Sequence, residues 1–413
     1  MTFAGWDDRN AIEAQMPWSE RDVAPTLYAA LSRTAEKFPD HDAVSYQIFS
    51  GPTDRAETLT WSVLKDRVCQ TANLFRSLGV GEKDVVAYIL PNCNETVLTL
   101  LGGAIAGIVN PINPLLDAEQ IGSILRETNA KVVVTLRPFP KTDVADKTAA
   151  AVALAPNVET VLEVDLLKYL TPPKSWIVPL IRPKRKVQNH AKYLNFSTEV
   201  AKHSKDLSFP DATEDRVACY FHTGGTTGMP KVAQHRYSGL IYNGWVGTEL
   251  LFTEEDNIIC PLPLFHVFAC HVILMAAVTS GGAMLCCVFR GRNSEGSNFP
   301  GEQARGIFLI GIPYANFGDP LVKAQIDYFD KEKRGLGNKW YTMDAFRAAN
   351  QSLGRGIRGR DDWCHYWMLD RRYYDHRNLI SKWAMGEKLM LRKKISRTQS
   401  SFKKFKDETI IEL

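Results

Sequence analysis

The residues best suited to chemistry lie in a loop rich in threonine and glycine near the middle of the chain. Residues 219–235 read CYFHTGGTTGMPKVAQH, in which a short apolar run enters the loop and a lysine follows it. Glycines let backbone N–H groups turn toward an anion, hydroxyls add donors, and a lysine ammonium contributes a point charge. This composition predicts a cradle for the phosphates of ATP. The residues predicted to bind phosphate are Thr223, Gly224, Gly225, Thr226, Thr227, Gly228 and Lys231, the lysine also being a candidate catalytic residue.

The loop is not a Walker A loop, in which a lysine directly follows a glycine and a hydroxyl residue follows the lysine. Here Met229 and Pro230 separate Gly228 from Lys231, and Val232 follows. The whole string closely resembles the phosphate-binding motif of the adenylate-forming superfamily, which includes the acyl-CoA synthetases.

Three further segments carry this resemblance, which covers roughly residues 17–286. They are GVGEKDVVAYILPNCNET at 79–96, AGIVNPINPLL at 106–116 and PLPLFHVFA at 261–269, and they resemble core segments of bacterial-type fatty acyl-CoA synthetases. The resemblance implies a two-step reaction, in which ATP and a carboxylic (fatty) acid give acyl-AMP and pyrophosphate, and CoA then displaces AMP. ATP, Mg²⁺ and CoA are the cofactors that it implies. It also implies that His266 lies near the acyl carboxylate, whereas the residue by itself is equally typical of a packed core histidine.

The later motifs of the superfamily are not found in the sequence. They are a Y-G-x-T-E segment on the adenine side, an Asp that binds the ribose, a hinge, and a C-terminal subdomain with the lysine that aids adenylation. We therefore expect ATP binding with weak or no adenylation. We also expect the apolar segment 272–289 to lack its covering strands, and hence to favour aggregation or a partner.

A different family resemblance begins after residue 289. The segments RGRNSEGSNF at 290–299, ARGIFLIGIPYANFGDP at 304–320 and WYTMDAFRAANQSLGRGIRGRDDW at 340–363 resemble the second motor domain of XPD-like superfamily-two DNA helicases, in particular the Fanconi anaemia J branch. Ser297 and Asn298 depart from the family's usual aliphatic residue and Asp, and no Walker A, D-E-A-H box or four-cysteine cluster is found. The residues of the helicase-like motifs are Arg290, Gly291, Ser294, Glu295, Gly296, Gln351, Gly354, Arg355 and Arg358.

A helix over residues 343–358 would place Gln351, Arg355 and Arg358 on one face. The opposite face of such a helix is apolar, and its residues are Phe346, Ala349, Leu353 and Ile357. Two guanidiniums in line suit a phosphate at a cleft between domains. The helicase resemblance implies that Gln351, Arg355 and Arg358 form the finger set toward ATP, the two arginines being the catalytic candidates. A solvated polar face is the alternative.

The apolar pattern predicts an α/β fold. It indicates a helix over 60–78 ended by Gly79, a strand over 85–90, a buried helix over 96–109 and a strand over 131–136. We expect a truncated large domain of an adenylate-forming enzyme followed by a RecA-like helicase C-terminal domain fragment. The predicted bounds are 1–286, 287–390 and a basic tail at 391–413. Prolines and a basic KRK at 184–186 interrupt this rhythm over 166–215, which predicts a surface excursion with a solvated charge run.

Composition and charge limit the remaining classes. With 45% hydrophobic and 23% charged residues, the 413-residue chain is not a disordered, collagenous or coiled-coil protein. Residues 290–413 carry 24 basic and 15 acidic side chains, which permits salt-sensitive binding of single-stranded or duplex DNA. The eight cysteines show no metal-site spacing, so we predict no metal site and a reducing intracellular location, the cytoplasm or alternatively the nucleus. The N-terminal residues show no secretory signal.

Residues 257–289 contain no Asp, Glu, Lys or Arg and are long enough to span a bilayer. Prolines, histidines and a glycine pair divide them, which favours a strand, a loop, a helix and a strand, so no transmembrane segment is expected.

Three hypotheses follow from the sequence. The first is an ATP-binding, ligase-like protein that is catalytically incomplete. The second is a helicase-related module that binds nucleic acid. The third is a fusion or gene-prediction product with no selected activity.

Overall fold

The structure, a computed structural model, describes most of the chain. The described residues are 14, 18–48, 55–223, 231–250, 252–260, 262–286, 306–315, 317, 320–354 and 364–385. The strands are β1 (Asp42–Gln47), β2 (Ala56–Thr60), β3 (Val85–Ile89), β4 (Ile108–Pro111), β5 (Ala130–Leu136), β6 (Thr160–Val164), β7 (Lys192–Asn195), β8 (Val217–Thr223), β9 (Lys231–Arg236), β10 (Asn257–Cys260), β11 (Ala283–Cys286), β12 (Gly306–Ile310) and β13 (His365–Leu369).

Helices connect these strands, and the longest of them follow β2, β3, β9 and β12. The α-helices are α1 (Leu27–Lys37), α2 (Trp61–Ser77), α3 (Asn94–Ala106), α4 (Ala118–Glu127), α5 (Val144–Ala153), α6 (Lys174–Ile181), α7 (Phe196–Val200), α8 (Tyr237–Leu250), α9 (Met275–Ser280), α10 (Pro320–Glu332), α11 (Leu336–Leu353), α12 (Arg371–Asp375) and α13 (Lys382–Met385). A π-helical stretch, Ala269–Leu274, runs directly into α9.

A seven-stranded sheet organises residues 85–236, in the order β7-β6-β5-β3-β4-β8-β9. All its neighbours pair in parallel except β9, which is antiparallel to β8. Every residue of β3 and of α3 is buried, as expected for a parallel sheet covered on both faces. The carboxyl ends of β3, β4, β5, β6 and β8 therefore lie along one edge of this sheet, which we call the carboxyl edge.

The predicted strands and helices of this region are observed, with one difference. The helix predicted over 96–109 ends at Ala106, and residues 108–111 form β4 instead. Gly107 lies between the helix and the strand. Only glycine fits there, because a Cβ would lie 2.6 Å from the backbone oxygen of Asp84. Gly79 ends the preceding helix α2 with a φ of +80°, as predicted.

The apolar segment 272–289 is not left uncovered in the part that the structure describes, so that prediction is wrong for residues 272–286. It forms part of a second sheet, in the order β10-β11-β1-β2, where β11 pairs in parallel with both β10 and β1. Leu274 and Val278 have no exposed surface. The N-terminal strand β1 pairs with β11, for which the sequence predicted no neighbouring strand.

A charged cluster ties three parts of the N-terminal region together. The Lys168 ammonium lies 2.6 Å from the carboxylates of both Glu57, on β2, and Glu95, at the start of α3. Arg67 donates to Glu57 at 3.0 Å, and the Tyr169 hydroxyl donates to Glu95 at 2.9 Å. Burial raises the pKa of Glu57, but Lys168 and the other donors outweigh it and bring the pKa to about 2.

The C-terminal residues build a smaller α/β unit. Strands β12 and β13 pair in parallel, with α10 and α11 between them in the chain. A small core packs one face of α11 onto these strands, and its buried residues are Ile307, Leu309, Phe346, Ala349, Leu353, Tyr373 and Ile380. Both units are α/β, as predicted. Among the described residues no helix is long and apolar enough to cross a bilayer.

Candidate nucleotide-binding site

The Thr/Gly loop connects the two strands of a hairpin at the end of the large sheet. Thr223, the last residue of β8, is paired across the hairpin with Lys231, the first residue of β9. The hairpin thus brings the first threonine and the lysine of the motif together, and Lys231 is exposed. The remaining residues of the motif, Gly224, Gly225, Thr226, Thr227 and Gly228, lie outside the described residues.

Three aromatic rings pack beneath this hairpin. The ring centroids of His235, on β9, and His271, in the π-helical stretch, lie 4.5 Å apart. The ring centroid of Phe221 lies 5.3–5.4 Å from both. The Nδ1 of His271 donates to the backbone oxygen of Val267 at 3.1 Å, so its Nε2 is a lone-pair acceptor. Burial, with a smaller contribution from His235, lowers the pKa of His271 to about 4.

His222 joins the hairpin to the neighbouring strand. Its Nε2 lies 2.8 Å from the side-chain oxygen of Asn110 on β4, and the amide of Asn110 donates to Thr128 at 3.1 Å. Because an amide oxygen only accepts, the hydrogen of the His222 ring is on Nε2. Burial lowers the pKa of His222, which favours this neutral form.

His266 belongs to a loop that is fastened to the carboxyl end of β3. The Asn92 side chain donates to the backbone oxygen of Leu262 at 2.8 Å and accepts from the backbone N–H of Leu264 at 2.7 Å. The Tyr88 hydroxyl donates to the backbone oxygen of Leu264 at 2.7 Å. The His266 side chain itself is exposed, so the alternative of a packed core histidine does not describe it. Since β3 and β8 are separated only by β4, this loop and the Thr/Gly loop share the carboxyl edge.

Mg²⁺ is the metal that the resemblance implies at a nucleotide site. In the part of the chain that the structure describes, no three His, Cys, Asp or Glu residues are grouped to hold a metal ion. At nucleotide sites Mg²⁺ is commonly coordinated by the phosphates of the substrate and a few waters. Lys231, paired with Thr223 across the hairpin, carries a positive charge at the end of the loop.

The helicase-like motif residues are only partly described. Gln351 is exposed on α11, while Phe346, Ala349 and Leu353 are buried on its other face, as predicted. The helix predicted over 343–358, however, is observed over 336–353 and is capped by Gly354, a residue that disfavours helix interiors. Arg355 and Arg358 lie outside the described residues, as do Arg290, Gly291, Ser294, Glu295 and Gly296.

A cleft of about 400 Å³ opens beside Gln351. The residues that line it are Met343, Phe346, Arg347, Asn350, Gln351, Leu379, Ser381 and Trp383. Trp383 is 52% exposed, and the Asn350 side chain holds the cleft's far wall by donating to the backbone oxygen of Leu379 at 2.8 Å. An exposed indole beside amide and guanidinium groups is a surface on which a nucleic acid base can stack.

The groups that position the site carry little signal in the sequence. Asn110 directly follows the helix predicted over 96–109, and no local pattern places it on a strand facing His222. Asn92 does carry a signal, since it directly follows the Pro91 that stops β3. His235 and His271 are 36 residues apart in the sequence, and no local pattern brings them together.

The buried side chain of His271 makes the free energy of unfolding depend on pH. Because the folded pKa of His271 is below its unfolded value of 6.5, the unfolded chain binds more protons between about pH 6.5 and 4. The free energy of unfolding should therefore fall by up to about 3 kcal/mol as the pH drops through this window. Denaturant titrations of His271→Phe should show a flatter pH profile. An unaltered slope in His271→Phe would contradict the assignment.

The sequence matches two families. Residues 31–294 match the AMP-binding enzyme family, and residues 269–386 match the helicase C-terminal domain. A marinolic acid–CoA ligase of Pseudoalteromonas sp. (strain SANK 73390) is 33% identical over 282 residues, covering 65% of this chain and 39% of the ligase. The Fanconi anemia group J protein homolog of Gallus gallus is 44% identical over 110 residues, covering 25% of this chain and 9% of that protein.

Solved structures agree with the larger match. A long-chain-fatty-acid–CoA ligase from Archaeoglobus fulgidus superposes with a TM-score of 0.54, at 18% identity, over 75% of this chain and 54% of that chain. At this identity the likeness concerns the fold alone. The chain spans well under half the length of the curated relatives named above.

Proposed function

Because the chain belongs to the AMP-binding enzyme family, we propose that its N-terminal unit binds MgATP at the Thr/Gly loop and carries at most a weak acyl-adenylating activity. The single observation that carries this proposal is the β8–β9 hairpin, which pairs Thr223 with Lys231 across the loop. The activity is proposed to be weak because helicase-like sequence begins where the ligases continue toward their adenine, ribose and hinge motifs.

In this proposal each group of the chain has a defined task. Lys231 binds the outer phosphates and draws charge from them, while the hydroxyls and N–H groups of residues 223–228 orient the polyphosphate. His266 is proposed to contact the acyl carboxylate through the ring nitrogen Nε2, since its Nδ1 accepts from the backbone N–H of Phe268 at 3.3 Å. The chemistry of the family is attack of a carboxylate on the α-phosphorus of ATP with loss of pyrophosphate, followed by transfer of the acyl group to CoA.

A nucleotide product assay tests the proposal. The purified chain is incubated with MgATP, a panel of fatty acids with CoA, and separately single-stranded DNA, and AMP is resolved from ADP. We expect tight nucleotide binding with AMP formation that is slow and depends on the acid. Rapid AMP and pyrophosphate formation would show a working ligase and contradict the proposed weakness, whereas a failure to bind ATP would overturn the proposal as a whole.

A second candidate is nucleic acid binding by the C-terminal unit. The cleft beside Gln351 and Trp383 and the basic balance of residues 290–413 favour it. ADP appearing only with DNA would support this candidate. The third hypothesis, a fusion without selected activity, is tested by mass spectrometry of native material for a peptide that spans residues 287–292.

A further inference from the structure

The helix α6 carries its apolar side chains on the protein surface. Trp176 and Leu180 are 69% and 84% exposed, Ile177 and Ile181 are 47% and 59% exposed, and no residue of the helix is buried. At 100° per residue these four side chains fall within an arc of roughly 140° on one side of the helix. They form a single convex apolar face, which we call the α6 face.

The helix is held in this position rather than folded back onto the protein. Arg182, directly after α6, donates from Nη2 to both carboxylate oxygens of Asp165 at 2.9 and 3.0 Å. Its Nη1 donates to the backbone oxygen of Pro138 at 3.0 Å. The end of α6 is thus fastened to the segments that leave β5 and β6.

Basic residues follow the α6 face directly. Lys184 and Lys186 are exposed. Between them, Arg185 forms an ion pair with Glu163 and stacks over the ring of Tyr193 at 3.5 Å, which fixes the backbone on both sides. The two lysines therefore lie on an anchored segment without regular secondary structure, next to the apolar residues of α6.

The α6 face lies on the carboxyl edge of the large sheet. It follows β6, just as the Thr/Gly loop follows β8 at the same edge. Leu115, which follows β4 at this edge, is 83% exposed. The exposed apolar side chains of this region are therefore concentrated on the side of the sheet that holds the candidate nucleotide site.

We propose that the α6 face docks on the surface of an anionic phospholipid bilayer. Trp176 and Leu180 enter the boundary between headgroups and acyl chains, and Lys184 and Lys186 lie against the lipid phosphates. An indole has the amphipathic character that this boundary selects. A convex apolar face with a basic margin fits a planar anionic surface, whereas a protein partner would have to supply a matching groove. Docking turns the carboxyl edge, and with it the nucleotide site, toward the membrane.

Co-sedimentation of the full chain with lipid vesicles tests this proposal. We expect binding to vesicles of mixed phosphatidylglycerol and phosphatidylcholine, and binding to pure phosphatidylcholine roughly tenfold weaker. Trp176→Glu with Leu180→Glu should weaken binding to the mixed vesicles by roughly tenfold or more, because charge enters the apolar boundary. Lys184→Glu with Lys186→Glu should weaken it in a way that added salt reproduces for the wild type.

Leu154→Glu is the matched control. Leu154 is 44% exposed and follows α5 near the opposite edge of the sheet, so this variant should bind vesicles like the wild type. Lys231→Ala should also bind them normally, which separates this proposal from the proposed nucleotide site. The proposal is overturned if the wild type does not sediment with the mixed vesicles, or if Trp176→Glu with Leu180→Glu sediments with them undiminished. A change of oligomeric state in that variant without any lipid binding by the wild type would equally overturn it, in favour of a second copy on the α6 face.

Discussion

Replacement of Lys168 by methionine is expected to lower the free energy of unfolding by about 3 kcal/mol, because it leaves the buried carboxylate of Glu95 without the half-buried ammonium that pairs with it. The side chain of Glu95 is only 2% exposed, and without Lys168 its carboxylate keeps the Tyr169 hydroxyl but has lost the ammonium 2.6 Å away. Glu57 would lose the strongest of the groups that hold its pKa near 2. Urea titration at neutral pH measures the effect.

The pH profile gives an independent reading of the same cluster. A carboxylate whose folded pKa is about 2 and whose ordinary value is 4.5 contributes stability that is complete above pH 4.5 and is lost as the pH falls toward 2. The wild type should therefore lose about 3 kcal/mol from this group across that window, and Lys168→Met should lose much less.

Two further variants show whether the effect is electrostatic. Lys202→Met removes an exposed lysine 2.7 Å from Glu199 and should cost less than about 1 kcal/mol, because exposed ion pairs contribute little. Adding Glu95→Gln to Lys168→Met should restore part of the lost stability, since the buried negative charge is then absent. A Lys168→Met protein as stable as Lys202→Met would show that the cluster does not support the fold.

Replacement of Lys231 by alanine is expected to weaken MgATP binding roughly 10- to 100-fold, the effect of losing one charge-assisted contact to phosphate. Lys231 is the first residue of β9 and pairs with Thr223. Its replacement by alanine therefore removes the positive charge at the C-terminal end of the Thr/Gly loop. Calorimetric titration of the full chain with MgATP measures the change in Kd.

The charge and the fold can be separated by two controls. Lys231→Arg keeps the charge and should bind more tightly than Lys231→Ala. Lys192→Ala removes an exposed lysine from β7, the opposite border strand of the same sheet, and should bind like the wild type. Equal affinity in Lys231→Ala and the wild type would remove the lysine from the site.

Elements with a strong local pattern were predictable from the sequence. Examples are the helix that ends at Gly79, the strand after residue 84, and the strand, loop, helix and strand of residues 257–286. Each of these segments has a regular apolar pattern that is bounded by a glycine or a proline. The short strand β4 was not predictable, since its four residues directly follow a buried helix and are too few to show a period of their own. Only the close approach at Gly107 reveals where that helix ends.

The parts of the site that depend on distant pairings could not be predicted. The loop chemistry is local and was readable, but the contact of His235 with His271 exists only because the π-helical stretch packs on the hairpin. The pairing of β1 with β11 is likewise a tertiary result, because β1 lies more than 200 residues earlier in the chain. The exposure of α6, by contrast, agrees with the surface excursion predicted over residues 166–215.

Hydrogen–deuterium exchange of the full chain with and without MgATP tests the central claim most directly, because it locates the bound nucleotide in the chain. The proposed site predicts slower exchange in peptides covering residues 217–236, with little change in peptides covering 336–385, and loss of this protection in Lys231→Ala. Protection confined to residues 336–385, with none in the hairpin, would contradict a nucleotide site on the Thr/Gly loop.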